Sequence, residues 1–461
     1  MRILSLVVLF LIATTAKAIN PDSLFSIWQD QTKPDTVRIN AISKHISANI
    51  IFSNPDSAKS LNDDLYIFSK TKNNNLGLSE AYNNYAIIVS TQGNYQKALD
   101  YLYKALEINK KLKNKQSIAT SLSNIAYMHN SLGDYHKALE YNKKCIAIQI
   151  ELNDKEGQIR TYNNMGITYD YLGNNLLAIE HYNKTLKLSE EMGNKEGSGN
   201  THQNLALIYY DLGKYDKALN HALKSLEILK NIDNKKLLAS AYTNIGYVKT
   251  AMKEFDSALE NYNKSLKILI EINDANGVAN TLFLLGELTK EQGDYSQAIW
   301  YFNESLEAYQ KMGQKFDIAD CYYQLGQCYL YMNDYNNAIR KCDSSYRISH
   351  QISSIELEKK ACDCLYESHS NKGNSKKAEY YKGLSDSLKD SIKSEETSKK
   401  LVQLEEERKM LADSLAKEEL RIKQMEASKE TKEYFYMGGG LLILLALSGI
   451  YLKKSKKKIM K

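Results

Sequence analysis

The fold is decided by the stretch NIAYMHNSLGDYHKA, residues 124–138. It holds a small residue, Ala126, a turn at Gly133-Asp134-Tyr135, and then Ala138. The same frame returns at residues 284–298, LLGELTKEQGDYSQA, as Gly286, Gly293, Tyr295 and Ala298. Working outward, turns of this kind start at Gly93, Gly133, Gly173, Gly213, Gly293, Asn333 and Gly373, and Lys253-Glu254-Phe255 fills the missing slot. Alanine follows five residues after each turn begins, at 98, 138, 178, 218, 258, 298, 338 and 378, and Ala58 extends the series back by one unit. Nine alanines at a constant spacing of 40 define an internal repeat, which takes precedence over any other reading of the chain.

Each unit contains two helical patterns. Helix A precedes the turn, as in Gly157 to Leu172, and carries a small residue near its middle: Ala86, Ala126, Gly166, Ala206, Gly246, Gly286 or Gly326. Helix B follows the turn, as in Asn174 to Glu191. Glycine ends the first helix, and Asp or Asn can cap the second. The small residue on A and the alanine on B allow close approach. One such pair cannot bury both apolar faces, so the units must stack. The three prolines, at 21, 34 and 55, leave the remaining 406 residues free of proline, as an almost purely helical chain requires.

The combination small–x6–Gly–x–Tyr–x–x–Ala resembles the tetratricopeptide repeat (TPR) family over residues 36–390. Two departures stand out. The period is 40 rather than ~34, and the proline that usually ends helix B is replaced by loops such as Asn153-Asp154-Lys155 and Gly193-Asn194-Lys195. The extra residues are expected to lengthen the helices. The resemblance implies an all-α superhelix of helix pairs, about nine repeats long, with helix A lining a concave face that binds peptides or proteins.

Flanking segments suggest an exported chain. Residues 1–18 read as a signal peptide, with Arg2 ahead of the apolar run Ile3 to Ala13 and an Ala16-Lys17-Ala18 cleavage site. Residues 19–35 form a lead segment. Residues 391–433 lose the repeat, and heptads place Leu401, Leu404, Leu411, Leu415, Ile422 and Met425 on a seam that Arg408, Glu418, Lys429 and Lys432 interrupt. A dimeric coiled-coil stalk over 391–433 is expected, because the helix can run directly into the following span, with one amphipathic helix folded back on the last repeat as the alternative. Residues 434–452 are uncharged and long enough to span hydrocarbon at ~28 Å, and Lys453 to Lys461 form a basic tail. The expected topology is single-pass in an inner membrane, with the body periplasmic and the tail cytoplasmic. Net charge is +6, but removing the eight lysines and arginines of residues 1–18 and 453–461 leaves −2 for residues 19–452, so nucleic acid is not an expected partner. This layout is similar to that of bacterial periplasmic TPR sensors, in which a kinase or DNA-binding output domain follows the span. Here only the lysine tail follows it.

Chemistry is sparse. Phosphate-binding glycine loops, an H-E-x-x-H zinc site, EF-hand loops and a nucleophile elbow are missing from the sequence. No catalytic residue, metal ligand or cofactor is assigned. Five of six cysteines fall between Cys321 and Cys364. Cys342 on a helix B and Cys362 on the following helix A form a candidate disulfide, with buried unpaired thiols as the alternative. The informative series is Asn84, Asn124, Asn164, Asn204 and Asn244, one position of helix A in five consecutive repeats, broken afterwards by Leu284 and Gln324. Such amides could hold the main chain of an extended peptide, or they could form a ladder between neighbouring helices. Tyr127, Tyr169, Tyr209 and Tyr247 on helix A are further groove candidates. The sequence thus points to a non-enzymatic binding scaffold or sensor subunit. The alternative is a receptor component acting through a separate kinase or transcription regulator.

Overall fold

A computed structural model describes residues 21–51 and 54–394, together with Lys423. The chain divides into two units, residues 1–392 and 393–461. Almost all of the second unit lies outside the described residues. The expected signal peptide at 1–18, the span, the tail and nearly all of the stalk lie outside the described residues. Among the described residues no helix is long and apolar enough to cross a membrane, and there is no β-strand.

The first unit is a chain of helices joined by short turns. It opens with α1 (Pro21–Gln29), α2 (Asp35–His45, continuing as a π-helical turn at Ile46–Ile50) and α3 (Pro55–Thr71). Helix pairs follow: α4 (Asn75–Thr91) with α5 (Tyr95–Lys111), α6 (Lys115–Ser131) with α7 (Tyr135–Glu151), and α8 (Lys155–Tyr171) with α9 (Asn175–Met192). Next come α10 (Lys195–Asp211) with α11 (Tyr215–Leu229), α12 (Lys235–Ala251) with α13 (Phe255–Glu271), and α14 (Ala275–Glu291) with α15 (Tyr295–Met312). The series closes with α16 (Lys315–Tyr331), α17 (Tyr335–Gln351), α18 (Ile355–Asn371) and a helix over 375–392. Each helix packs on its predecessor and successor, and A helices also touch each other across repeats, as in α10 with α12 and α16 with α18.

The 40-residue period is explained by helix length. Most helices have 17 residues and the usual connection has three, at both turns of the unit. The six residues beyond the usual repeat are in the helices, as expected. Most turns share one geometry, recurring every 20 residues, and the longer turn at 230–234 is the exception, with no left-handed residue. Gly133 sits at φ +79°, its N–H bonds Asn130 O at 3.1 Å, and Asp134 N–H bonds His129 O at 2.8 Å. This is a left-handed cap in which the orphan carbonyls of the helix end are satisfied. Lys253 and Asn333 adopt φ +60° in the same slot. The next residue caps the following helix: Asn94 accepts from Lys97 N at 3.2 Å and Asp154 from Gly157 N at 2.8 Å.

The small position of helix A is fixed by what faces it. A Cβ on Gly166 would lie 2.5 Å from the Tyr182 ring, and one on Gly286 would lie 2.6 Å from the Phe302 ring. Gly246 faces Tyr262 in the same way. Where helix A carries Ala86 or Ala206, the corresponding helix B residue is Leu102 or Ala222. Size is therefore traded between the two helices at constant spacing. All nine repeated alanines are buried, none more than 5% exposed, so this close contact runs the full length of the unit. At the N-terminus α1 covers the first repeat: Trp28 packs edge-on against Phe68 with centroids 5.1 Å apart, and Arg38 lies over both rings. It caps a stack that would otherwise end on an apolar face.

The disulfide differs from the expected pair. Cys342 bonds Cys364, with Cα atoms 6.1 Å apart, whereas Cys362 is a buried free thiol. Residues two apart on a helix project about 200° apart, so only one of the two could face Cys342. Cys364 occupies the position of the asparagine row, from which Asn84 likewise reaches Asn62 on the helix before it. Cys145 is a buried thiol whose Sγ bonds Ala119 O at 3.2 Å, the contact made by Ser225 Oγ to Gly199 O and by Ser305 Oγ to Ala279 O two and four repeats later. It fills a serine slot.

Candidate functional site

The A helices α2 to α10 wall a cavity of about 620 Å³. Helical spacing puts residues 80, 84 and 87 of α4 on one face, and the same positions recur 40 and 80 residues later. Glu80, Asn84, Thr120, Asn124, Arg160 and Asn164 all reach the cavity by this register. The wall is mostly uncharged and polar over an apolar floor that includes Ile87, Ile159 and Ile167.

The asparagine row splits in two. Asn84 is 2% exposed and donates to Asn62 Oδ1 at 3.0 Å and to Ser43 Oγ at 3.5 Å. Asn204 donates to Asn163 Oδ1 at 3.1 Å, and Asn244 to Gln203 Oε1 at 3.5 Å. These three are rungs between repeats, made to neighbouring side chains. Asn124 and Asn164 lie half-buried on the cavity wall, and among the described residues their side chains form no hydrogen bond. Four further amide oxygens of cavity-lining residues, on Asn83, Asn130, Asn142 and Gln149, are buried without a partner. Buried polar groups are normally satisfied; these four oxygens are closed off, and the unpaired amides open to the cavity are those of Asn124 and Asn164.

The tyrosine candidates also divide. Tyr127 lines the cavity, and burial raises its phenol. Tyr169 is 3% exposed and stacks on His181 of its own helix B, with centroids 5.2 Å apart. Tyr209 stacks on His221 in the same way at 5.3 Å. With His129–Tyr141 at 5.5 Å and His369–Tyr381 at 5.7 Å, the imidazole–phenol stack recurs in four repeats. Burial pushes His181 down to about 4, which leaves this ring neutral. Tyr247 stacks on Tyr210 at 4.2 Å, beyond the cavity's C-terminal edge.

Three charged residues on the wall, Glu80, Glu156 and Arg160, were not singled out from the sequence. Glu80 accepts from Ser43 Oγ at 2.8 Å, and burial raises its carboxyl above the usual range. Arg160 lies 4.0 Å from Glu156, its side chain 28% exposed. The available signal for Glu80 and Arg160 was a polar column at 80, 120, 160, 200, 240, 280, 320 and 360, where the residue changes from repeat to repeat but never becomes apolar. Among the described residues no group of three or more His, Cys, Asp or Glu is arranged to hold a metal ion.

No curated protein sequence matches the chain. Among solved structures, it is similar to a Rap protein complexed with Competence and Sporulation Factor, with TM-score 0.55 and 14% identity over 72% of this chain and 92% of that one. The apo form of the quorum sensor NprR from B. thuringiensis aligns with TM-score 0.53 and 17% identity, covering 71% of this chain and 92% of that one. Aspartyl phosphate phosphatase F from Bacillus subtilis aligns with TM-score 0.50 and 15% identity, covering 76% and 94%. At these identities the likeness is one of fold. Sequence models of the tetratricopeptide repeat match residues 78–112, 117–191, 158–231, 237–311 and 319–340. They take in more than half of the chain and agree with the observed repeat, so the chain belongs to the tetratricopeptide repeat family.

Proposed function

We propose that this chain is a non-enzymatic receptor or scaffold that holds an extended peptide, or an extended segment of a protein, along the A-helix cavity. The observation that carries this reading is the set of unpaired amides on the cavity wall, Asn124 and Asn164 above all. Neighbouring packed helices lie roughly 8–10 Å apart, and an extended chain rises about 3.3 Å per residue. One amide per repeat therefore meets roughly every third peptide unit. An amide offers both a donor and an acceptor, so it can bind main chain without reading side chains. The structural relative complexed with Competence and Sporulation Factor, and the relative named a quorum sensor, support the same use of the fold.

The signal sequence at 1–18 and the apolar segment 434–452 support export and tethering at the inner membrane, with the repeats outside and the lysine tail inside. A buried disulfide accords with an oxidising compartment. In this reading the stalk pairs two chains, and any output lies on another protein.

The test is a binding measurement on the full-length chain in mild detergent, using peptides selected from a random displayed library. Replacing both Asn124 and Asn164 with Ala should weaken capture at least ~10-fold, since two hydrogen bonds of about 1 kcal/mol each are lost. The melting temperature should barely move. Unchanged affinity would sink the reading. A reporter fused after Lys461 should be cytoplasmic, and a periplasmic signal would overturn the topology. Pull-down of the tagged chain from native membranes would separate a sensor, which brings down a cytoplasmic kinase or regulator, from a tethered scaffold.

A further inference from the structure

The A-helix face continues past the cavity into α14, α16 and α18, where its chemistry changes. Position 320 is the register equivalent of Glu80, Thr120 and Arg160, and position 287 is that of Tyr127. They carry Asp320 and Glu287. Asp320 is 3% exposed and its Oδ1 has no partner. Glu287, partly buried beside it, receives only a long bond of 3.4 Å from Gln324 Nε2, and Gln324 also serves the Asp320 carboxyl.

Two lysines stand near, and neither makes a direct ion pair with the acids. Lys290 Nζ donates to Gln324 Oε1 at 2.6 Å, and Lys360 Nζ lies over the Tyr323 ring, 5.7 Å from its centroid. Among the described residues neither buried carboxylate has an ion-pair partner, although ion pairs such as Lys144–Glu140 and Lys264–Glu260 are common on the outer faces. Asp317 and Glu291 add two more acids to the neighbourhood. Buried carboxylates normally come with a cation or a full set of donors. This pair has no direct ion pair and an incomplete set of donors, with only the nearby charges of Lys290 and Lys360 to offset its burial, and it lies on the face that carries the peptide-binding reading.

We infer that Glu287 and Asp320 form a subsite for a basic side chain of the bound peptide, a lysine ammonium or an arginine guanidinium. The inference rests on the peptide-binding reading above and deepens it. The amide wall of α4 to α10 holds main chain without sequence preference, and the acid pair supplies the selection. Tyr323 and Tyr247 flank the pair and suit the apolar stem of such a side chain.

The experiment uses the full-length chain in mild detergent and a random displayed peptide library. Captured peptides should be enriched in Lys or Arg at one position. Changing that residue to Gln in a synthetic peptide should weaken binding to the wild-type chain at least ~10-fold. Glu287→Gln with Asp320→Asn should abolish the enrichment while capture of neutral peptides persists. Thermal melting confirms that this variant folds, and the Gln-substituted peptide on the wild-type chain decides the matter if it does not. Capture without enrichment, or enrichment that survives the double variant, would overturn the subsite and leave the groove intact. No capture of any peptide would overturn the groove reading, and the subsite with it.

Discussion

The two ends of the repeat array solve the same packing problem with different bonds. Near the N-terminus, Asn62 on α3 meets Asn84 on α4 through a hydrogen bond of 3.0 Å. Near the C-terminus, Cys342 on α17 meets Cys364 on α18 through a disulfide. Both pairs are 22 residues apart, in one structural slot. The face above differs in parallel: amides and hydroxyls around Asn124 and Asn164, acids and lysines around Asp320. The backbone frame demands a small residue on helix A, alanine on helix B and a left-handed residue at nearly every turn. It leaves the slot between repeats and the A-helix face open to other chemistry.

Cutting the covalent version of the slot should have the largest effect. Reduction, or Cys364→Ala, is expected to cost about 3 kcal/mol for a closed loop of this length, read by denaturant unfolding. Cys362→Ala should cost clearly less, and equal losses would break the contrast.

The acid pair comes next. Burial, opposed by Lys290 and Lys360 and reinforced by Asp320 at Glu287 and by Asp317 at Asp320, raises Glu287 to about 7 and Asp320 to about 6. Folded values above unfolded ones mean the stabilisation is full below about pH 4. It is lost as pH rises through 6 to 7. Glu287→Gln with Asp320→Asn should flatten most of that fall between pH 4 and 8. Urea midpoints across that range check it. A profile identical to wild type would remove the acids as its source.

Gly286→Ala pushes a methyl into Phe302 and should cost about 1–3 kcal/mol. Adding Phe302→Leu should recover part of the loss. A purely additive pair would show that the two positions do not exchange size.

Within the asparagine row, Asn84→Ala should cost about 1–2 kcal/mol, because it leaves Asn62 buried with an unmet acceptor. Asn124→Ala should stay within about 0.5 kcal/mol. Equal losses at both sites would make the row a uniform ladder.

The smallest effect is a gain. Lys253→Gly relieves a left-handed lysine where most neighbouring repeats have glycine, and should add about 0.5–1 kcal/mol, read as a raised melting temperature.

Much of the fold was legible because the repeat prints its steric constraints every 40 residues. Gly133, Ala126 and Ala138 each answer a local demand that recurs, so periodicity separates them from chance. The disulfide partner was not legible. Cys362 and Cys364 are adjacent in sequence terms, and only the rotation of α18 against α17 chooses between them. Tyr169 and Tyr209 share a helix with the cavity wall, yet one step of helical phase turns them onto His181 and His221. The asparagine row carried its position in the sequence but not its pairing.

What the sequence by itself determined is the period, the helix pair, the turns and the close A–B contact, because these depend on residues within one unit and on backbone sterics. Only the tertiary structure decided which amides are paired, which cysteine reaches Cys342, and that Asp320 is buried beside the partly buried Glu287 without a direct ion pair. Each of these depends on how one repeat is rotated and translated onto the next. That packing sums many weak contacts, and no single residue encodes it.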